Sequence, residues 1–352
     1  MSKESYKKGR GSQIRTYNKF ESSYFDNSSL DGIDNYDEGR PSTQVFKESP
    51  KSIISKNDSP DIAWNHSINP YQGCEHGCTY CYARNSHEYW GFNAGIDFES
   101  KIIVKENASE LLEKQFLKKT WKPAVVMLSG NTDCYQPLER KYEITRSLLK
   151  LFLKYQNPVG IITKNALIQR DMDLISELAK KNLIHVAISI NSLNEELRRI
   201  LEPRTSSAKK RLETIKVLSD HRVPVLSMIA PIIPGLNHHE IPKVVKTAAE
   251  AGATKASYVT VRLNGQIGEI FKDWLDKTYP LRADKVWNQI SEFHDGKVND
   301  TEYGRRMRGA GVLADTIKKL FEVSVKKHMK DKPWPALDYG IFRRGGNYSL
   351  FG

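Results

Sequence analysis

The chain contains few cysteines and no long uninterrupted hydrophobic run. Its longest apolar stretch, residues 223–236, is broken by Pro224, Pro231 and Pro234. That stretch is shorter than the roughly 20 residues that span a bilayer. The N-terminal sequence MSKESYKKGRGS has no apolar segment of the kind that a secretory signal carries. We therefore expect a cytoplasmic protein that neither spans a membrane nor is exported.

Acidic residues are outnumbered, because 42 Asp and Glu stand against 54 Lys and Arg, which leaves a net charge of +12. The last 52 residues, 301–352, carry 11 basic and 5 acidic side chains, so half of the net charge lies there. A basic surface favours DNA or RNA as a partner. We predict that five arginines of this region contact phosphates: Arg305, Arg306, Arg308, Arg343 and Arg344.

Composition divides the chain into three parts. Residues 1–61 are rich in Ser, Asn, Asp, Gly and Lys and predict a polar N-terminal arm, extended and partly disordered, that lies over the body. Residues 62–265 alternate between apolar runs and helical patterns, and residues 266–352 predict a helical basic extension with an irregular tail. A length of 352 residues with 39% hydrophobic residues suits one large domain with such appendages.

The central part predicts an α/β fold. Six apolar runs of strand length alternate with amphipathic helices, one of which has its apolar face at Ile144, Leu148 and Phe152. Strands connected in this way form βαβ units and a parallel sheet. Residues 273–293 and 312–330 predict helices after the last strand. The strands are predicted at residues 64–69, 125–128, 159–163, 185–190, 223–229 and 256–261.

Three of the four cysteines lie within eight residues, in the sequence GCEHGCTYCYA. Thiolates packed into one loop repel each other unless a cation neutralises them, so the spacing predicts a metal centre. A [4Fe–4S] cluster held by three cysteines leaves one iron atom free to bind another molecule. We favour such a cluster, with Cys74, Cys78 and Cys81 as its ligands.

The alternative is a structural zinc site. Such a site needs four ligands, and the fourth would be Cys134, His76 or His87. Paired Cys-x-x-Cys knuckles are the usual arrangement for zinc, and this chain has three cysteines in a single loop.

The cysteine spacing, with Tyr80 directly before the third cysteine, resembles the radical S-adenosylmethionine superfamily. Within it, further segments resemble the spore photoproduct lyase-like branch, also called DNA repair photolyase-like. These segments are SGNTDCYQPLE (129–139), ITKN (162–165), SIN (189–191), LEPR (201–204) and PIIPGLN (231–237).

The resemblance covers residues 62–265 and implies a partial (βα)6 TIM-type barrel. It also implies a [4Fe–4S] cluster and S-adenosylmethionine as cofactors, and an electron donor such as flavodoxin or ferredoxin. The implied reaction is reductive cleavage of S-adenosylmethionine to a 5′-deoxyadenosyl radical, which abstracts hydrogen from a substrate. Nucleic acid repair or modification is the favoured substrate chemistry.

Ligand-binding residues of such barrels lie at the carboxyl ends of the strands, where this sequence has polar residues. By the resemblance, Lys164 and Ser189 reach the carboxylate and ribose of S-adenosylmethionine. The other cofactor-binding candidates are Tyr80, Ser129 and Asn191. Helix capping by Ser189 and Asn191 is the alternative.

Two acidic residues near these ends are expected to have structural roles. We expect Asp133 to cap a helix or to orient a neighbouring side chain. We expect Glu202 to form an ion pair with Arg204. For Lys164, the alternative to cofactor binding is a solvated position at a turn.

Two residues bear on the return of a hydrogen atom to the product. In the lyase this step involves a tyrosine directly after the third cysteine and a cysteine near the second strand. Tyr82 matches in position and is the catalytic candidate. Cys134 follows Asp133, whereas the lyase's cysteine precedes the corresponding acidic residue. We therefore expect Cys134 to be an ordinary semi-buried cysteine, and this departure argues against thymine-dimer repair.

Two other functions stay open at this point. One is radical modification of a peptide, protein or metabolite, and the other is a non-catalytic, metal-bearing protein that binds nucleic acid. The C-terminal residues 347–351 also resemble the pentapeptide that binds the bacterial sliding clamp, matching it at Ser349, Leu350 and Phe351. This match implies the clamp as a partner, and packing on the protein's own surface is the alternative.

Overall fold

The computed structural model describes residues 7–18, 20 and 42–345. Its ten strands in the described part of the chain form two sheets. In chain order they are β1 (Gln44–Glu48), β2 (Ile54–Lys56), β3 (His66–Ile68), β4 (Tyr71–Gln72), β5 (Lys101–Lys105), β6 (Val126–Leu128), β7 (Val159–Thr163), β8 (Ile184–Ser189), β9 (Val225–Ile232) and β10 (Lys255–Thr260).

The larger sheet has the strand order β10-β9-β8-β7-β6-β3-β2. Six of its strands are parallel and β2 is antiparallel to β3. The α/β class and the six parallel strands predicted from sequence are confirmed. The order is consistent with a partial (βα)6 barrel.

Alternation along the strands separates an outer from an inner face of this sheet. Ile161, Val186 and Val225 lie side by side in the register, are at most 1% exposed and pack in the main hydrophobic core. Ala187 and Leu226 form part of the opposite row and are only partly buried. The outer row packs under the helices, which leaves the inner row facing the lumen.

Eleven α-helices in the described residues lie between the strands or follow the last of them. They are α1 (Ile96–Ser100), α2 (Ala108–Leu117), α3 (Glu139–Tyr142), α4 (Ile144–Tyr155), α5 (Met172–Lys180), α6 (Glu195–Leu201), α7 (Ala208–Asp220), α8 (Ile241–Glu250), α9 (Ile267–Thr278), α10 (Ala283–Phe293) and α11 (Val312–Met329). In the part of the chain that the structure describes, 3₁₀ helices lie at Tyr82–Trp90, Ala166–Asp171 and His238–Glu240. None of the helices in the described ranges is long and apolar enough to cross a membrane.

The single helix predicted at residues 273–293 is wrong, because the structure has two helices there, α9 and α10. The break falls at Pro280, which has no N–H to donate within a helix. Tyr279 before it leaves the helical region, with φ −133° and ψ 55°, as the steric effect of a following proline requires.

The sequence reading also missed the smaller sheet, which has the order β1-β5-β4. β1 lies in the arm and pairs in parallel with β5, from Gln44 with Lys101 to Glu48 with Lys105. The polar arm therefore contains a strand that belongs to the folded body, and its polar composition concealed it.

The segment after α11 crosses the amino ends of the parallel strands. The centre of the Trp334 ring lies 4.2 Å from that of the His185 ring, and His185 is the second residue of β8. The N–H of Arg343 donates to the Tyr155 carbonyl oxygen at 2.9 Å, and Arg344 donates to that of Trp121 at 3.1 Å. This segment therefore lies at the end of the sheet opposite the carboxyl ends. The proposed clamp-binding residues 347–351 lie outside the described residues.

Candidate active site at the carboxyl ends of the strands

The three clustered cysteines lie in one loop between β4 and the 3₁₀ helix Tyr82–Trp90. Gly73 and Gly77 take positive φ angles of 81° and 65°, which permit the tight course of this loop. The Cys74 N–H donates to the Phe98 carbonyl oxygen at 2.9 Å. Fixed turns and a link to α1 thus place the thiols.

All three thiols are free and sit where a bare thiolate is unfavourable. Burial raises the pKa of Cys74, Cys78 and Cys81, and the positive charge of Lys164 opposes that rise at Cys78 and Cys81. A bound metal ion would remove this obstacle, since a metal ion deprotonates a coordinating thiol.

A cluster and a single metal ion make different demands on the geometry. Two thiolates on one zinc ion lie about 3.8 Å apart, given Zn–S bonds of about 2.3 Å in a tetrahedron. Within the described ranges, no three His, Cys, Asp or Glu side chains are placed to share one ion. In a [4Fe–4S] cluster each cysteine binds a different iron atom, so the donor set of this loop fits the cluster.

A buried ionic group lies beside the cysteine loop. The Tyr80 hydroxyl donates to Glu202, and Arg211 donates to the other oxygen of that carboxylate at 2.6 Å. Glu202 is fully buried and Arg211 is 2% exposed. Burial opposes ionisation of Glu202, but the charges of Arg211 and Lys164 and the Tyr80 hydrogen bond outweigh it and hold its pKa below the ordinary value.

The expected Glu202–Arg204 pair is wrong. Arg204 instead lies against Glu75, with Nη1 3.7 Å from a carboxylate oxygen. Arg211 reaches Glu202 because α7 returns along the sheet after the turn at residues 202–207. Sequence reasoning therefore missed Arg211, although the LEPR segment indicated that Glu202 has a structural role.

Asp133 organises the turn that follows β7. Its Oδ1 accepts hydrogen bonds from the Thr163 hydroxyl at 2.8 Å and the Tyr135 N–H at 2.9 Å, and its Oδ2 accepts one from the Lys164 N–H at 2.9 Å. His76 Nδ1 lies 3.4 Å from Oδ2. Asp133 thus orients neighbouring residues, as expected from the sequence, and it fixes the backbone of Lys164.

Replacing Asp133 with asparagine is expected to lower the free energy of unfolding by about 1–3 kcal/mol at neutral pH, because the amide nitrogen cannot accept a hydrogen bond and one of the two acceptor oxygens is lost. Burial opposes ionisation of Asp133, but His76 and the two N–H donors outweigh it and hold the folded-state pKa below 3.8. The carboxylate therefore stabilises the fold above that value, and the contribution disappears as the pH falls through the folded-state pKa. Urea unfolding of the apoprotein measures the difference, which should shrink in acid. A difference that stays constant across the pH range would contradict this role.

The Lys164 side chain is positioned to meet an anion. The positive charge of its ammonium acts to lower the pKa of Cys78, Cys81 and Glu202. Within the described part of the chain no hydrogen bond from Nζ or ion pair is present. A lysine that closes an apolar strand beside the cysteine loop is thus left with a free charge.

Ser189 and Asn191 lie at the end of β8, and neither caps a helix. Asn194 caps α6 instead, with its side chain accepting hydrogen bonds from the N–H groups of Glu196 and Leu197. Asn191 is 2% exposed, and its Nδ2 is buried without a partner in the described structure. The capping alternative is therefore wrong, and an unpaired donor at this position suits a ligand.

Ser129 directly follows β6 and has a φ angle of 73°. Its hydroxyl accepts a hydrogen bond from the Cys134 N–H at 2.7 Å. This contact fixes the loop after β6.

Tyr82 and Cys134 are in different environments. Tyr82 is 57% exposed and donates to the Gly130 carbonyl oxygen at 2.6 Å. Cys134 is fully buried in the main hydrophobic core. Cys134 is thus more deeply buried than the semi-buried position expected from the sequence.

Four of the five arginines predicted to contact phosphates have internal partners. Arg305 donates to Asp300 at 2.5 Å, Arg306 to Asp61 at 2.5 Å and Arg308 to the Tyr258 carbonyl oxygen at 2.7 Å. Arg344 lies at the amino ends of the strands, as described above. Arg306, Arg308 and Arg344 therefore hold the C-terminal extension on the rest of the chain, and Arg305 pairs within the extension; the sequence could not reveal these partners.

Comparison with known proteins finds a family model and relatives that match this chain. Residues 68–248 match the family model of the radical SAM superfamily. The uncharacterized protein Rv2578c of Mycobacterium tuberculosis is 31% identical over 233 residues, which cover 65% of this chain and 68% of that protein. The uncharacterized protein MJ0683 of Methanocaldococcus jannaschii is 29% identical over 251 residues, covering 70% and 88%.

Solved structures show the same fold. A mutant of spore photoproduct lyase has a TM-score of 0.59 at 15% identity, covering 87% of this chain and 86% of that one. The lyase complexed with dinucleoside spore photoproduct has a TM-score of 0.55 at 14% identity, covering 81% and 80%.

The chain belongs to the radical SAM superfamily and is a radical SAM enzyme. Its fold is that of spore photoproduct lyase.

Proposed function

We propose that this enzyme holds a [4Fe–4S] cluster through Cys74, Cys78 and Cys81 and acts on nucleic acid by hydrogen abstraction. The observation that carries the proposal is the single loop of three thiols, those of Cys74 and Cys78 buried and that of Cys81 partly buried, beside the Lys164 ammonium. When bound, the cluster supplies an electron for reductive cleavage of S-adenosylmethionine.

The protein's own groups would bind and orient S-adenosylmethionine at the carboxyl ends of the strands. The Lys164 ammonium would pair with the methionine carboxylate. Ser189 and the unpaired Asn191 Nδ2 would meet the ribose hydroxyls, and Ser129 would complete the polar rim. Tyr80, held by Glu202, would fix the loop beside the cofactor, and Tyr82 at the exposed mouth would take part in hydrogen-atom transfer.

Two observations support nucleic acid as the substrate class. The fold is shared with a lyase whose structure was solved with a dinucleoside photoproduct, and the chain carries a net charge of +12. The lyase-like cysteine is not available, because Cys134 is buried in the core. We therefore propose that the enzyme repairs or modifies nucleic acid and returns the hydrogen atom by a route that does not use Cys134. An electron donor of the flavodoxin or ferredoxin type and a cytoplasmic location complete the proposal.

Lys164→Ala is expected to weaken binding of S-adenosylmethionine by about tenfold to a hundredfold, because a charge-assisted contact to the carboxylate is lost. Lys180→Ala is the matched control, since that ammonium is exposed and pairs with Glu177. Calorimetry on the anaerobic, cluster-loaded protein measures both affinities. Equal affinities for the two variants would show that Lys164 does not bind the cofactor.

The substrate class is tested by the rate of 5′-deoxyadenosine formation with single-stranded DNA, duplex DNA, RNA or peptide mixtures. The proposal predicts stimulation by a nucleic acid that weakens as the salt concentration rises. Stimulation by peptides alone would replace this substrate class with peptide modification.

A further inference from the structure

The N-terminal arm is bound closely to the cysteine loop. We call residues 7–18 the strap. A Cβ built on Gly11 would lie 1.6 Å from the carbonyl oxygen of Gly77, which stands between Cys74 and Cys78. Only glycine permits such a backbone-to-backbone approach. The strap therefore packs directly on the loop that carries the cysteines.

One buried carboxylate joins the strap to the loop. Glu99 is fully buried, and its two oxygens accept hydrogen bonds from the backbone N–H groups of Ser12 at 2.7 Å and Gly11 at 3.1 Å. Arg10 also donates to the backbone carbonyl oxygen of Glu99 at 3.1 Å. Removing the strap would leave a buried carboxylate short of donors, which is costly.

The same carboxylate anchors Arg84, which is also fully buried and donates to it at 2.5 Å. Arg84 donates twice to the Cys78 carbonyl oxygen, at 2.9 and 2.8 Å, and once each to those of Ala94 and Gly95, at 3.1 and 2.9 Å. All five N–H groups of the guanidinium are thus occupied. Arg84 is therefore a brace for the backbone at Cys78.

The far end of the strap is fixed as well. The Ala94 N–H donates to the Thr16 hydroxyl at 3.2 Å, and the Asn18 side chain donates to the Glu88 and Phe92 carbonyl oxygens at 3.2 and 3.3 Å. Each of these contacts ends on residues 74–99, the segment that contains the cysteines and their supports.

We propose that the strap is a positioning element for the iron–sulfur cluster, with Glu99 and Arg84 as positioning residues. Docking of Gly11 and Ser12 on Glu99 fixes the Arg84 brace and, through it, the backbone of Cys78. The inference rests on the proposed cluster site. Coupling between two binding events is reciprocal, so the bound cluster holds the strap in place to the same degree that the strap holds the cluster.

The test compares Gly11→Ala with Gly340→Ala, whose added Cβ would meet only an Asp338 oxygen at 3.4 Å. Loss of visible absorbance in the presence of a chelator measures cluster lifetime in the anaerobic full-length protein. Gly11→Ala should shorten that lifetime about tenfold or more, because the strap contacts on Glu99 are lost. Gly340→Ala should leave it unchanged.

A second readout follows the strap itself. Hydrogen–deuterium exchange of the peptide covering residues 7–18 should be slower in cluster-loaded than in apo wild-type protein. Ser12→Ala keeps the backbone N–H that Glu99 accepts, so it should behave as wild type, whereas Glu99→Gln should behave as Gly11→Ala. These two variants keep the test valid if Gly11→Ala does not fold.

The two proposals fail in different ways. Wild-type protein that takes up no cluster would overturn both the cluster site and this inference. Wild-type protein that holds a cluster, with Glu99→Gln equally long-lived or with strap exchange unaffected by loading, would overturn the strap alone.

Discussion

Replacing Cys74, Cys78 or Cys81 with alanine is expected to abolish both iron binding and the cleavage of S-adenosylmethionine. Three protein ligands are the minimum for a cluster that keeps one iron free, so the loss of any one removes the centre. Iron and sulfide analysis of each anaerobically reconstituted variant measures the loss, and 5′-deoxyadenosine formation reports the activity.

Cys134→Ala is the control. Cys134 is fully buried in the hydrophobic core and lies outside the Cys74–Cys81 loop in sequence, so this variant should keep the iron content of the wild type. Loss of iron from Cys134→Ala, or full iron content after loss of one loop cysteine, would contradict the ligand assignment.

Arg211→Met is expected to lower the free energy of unfolding by about 3–5 kcal/mol. It removes one partner of a buried ion pair and leaves the other charge uncompensated. Glu202 is fully buried, Arg211 is 2% exposed, and the two lie 2.6 Å apart. Urea unfolding of the apoprotein measures the change.

Lys216→Met is the matched control, because Lys216 pairs with Asp220 at 3.0 Å while both side chains are more than half exposed. An exposed pair is worth about 0–1 kcal/mol. The double variant Glu202→Met, Arg211→Met should lose less than the sum of the single variants, because neither charge is left unpaired. Equal losses for Arg211→Met and Lys216→Met would show that the buried pair does not stabilise the fold.

Patterns that depend on local spacing could be predicted from the sequence. β7 lies exactly where its apolar run predicted it, at Val159–Thr163, and α11 begins at the predicted residue, Val312. Both are strongly patterned segments, since burial of one face imposes a period on the residues. The cysteine loop was found for a similar reason, because its three ligands lie within eight residues.

Contacts between distant segments could not be predicted. Glu99 meets Gly11 across 88 positions, and no periodic pattern marks either residue. The nearby Arg204 was the natural partner for Glu202 in the sequence, but the return of α7 brings Arg211 to it instead. The break between α9 and α10 is different, because Pro280 was a visible signal that the helical pattern around it obscured.

The most direct test of the proposed active site is the electron paramagnetic resonance spectrum of the reduced, reconstituted protein before and after S-adenosylmethionine is added. A [4Fe–4S] cluster with three cysteine ligands and one open iron predicts a cluster signal whose shape changes when S-adenosylmethionine binds. In Lys164→Ala the same change should need a concentration of S-adenosylmethionine that is about tenfold to hundredfold higher. Stoichiometric zinc without iron, or a cluster signal that S-adenosylmethionine leaves unchanged in the wild type, would contradict the account.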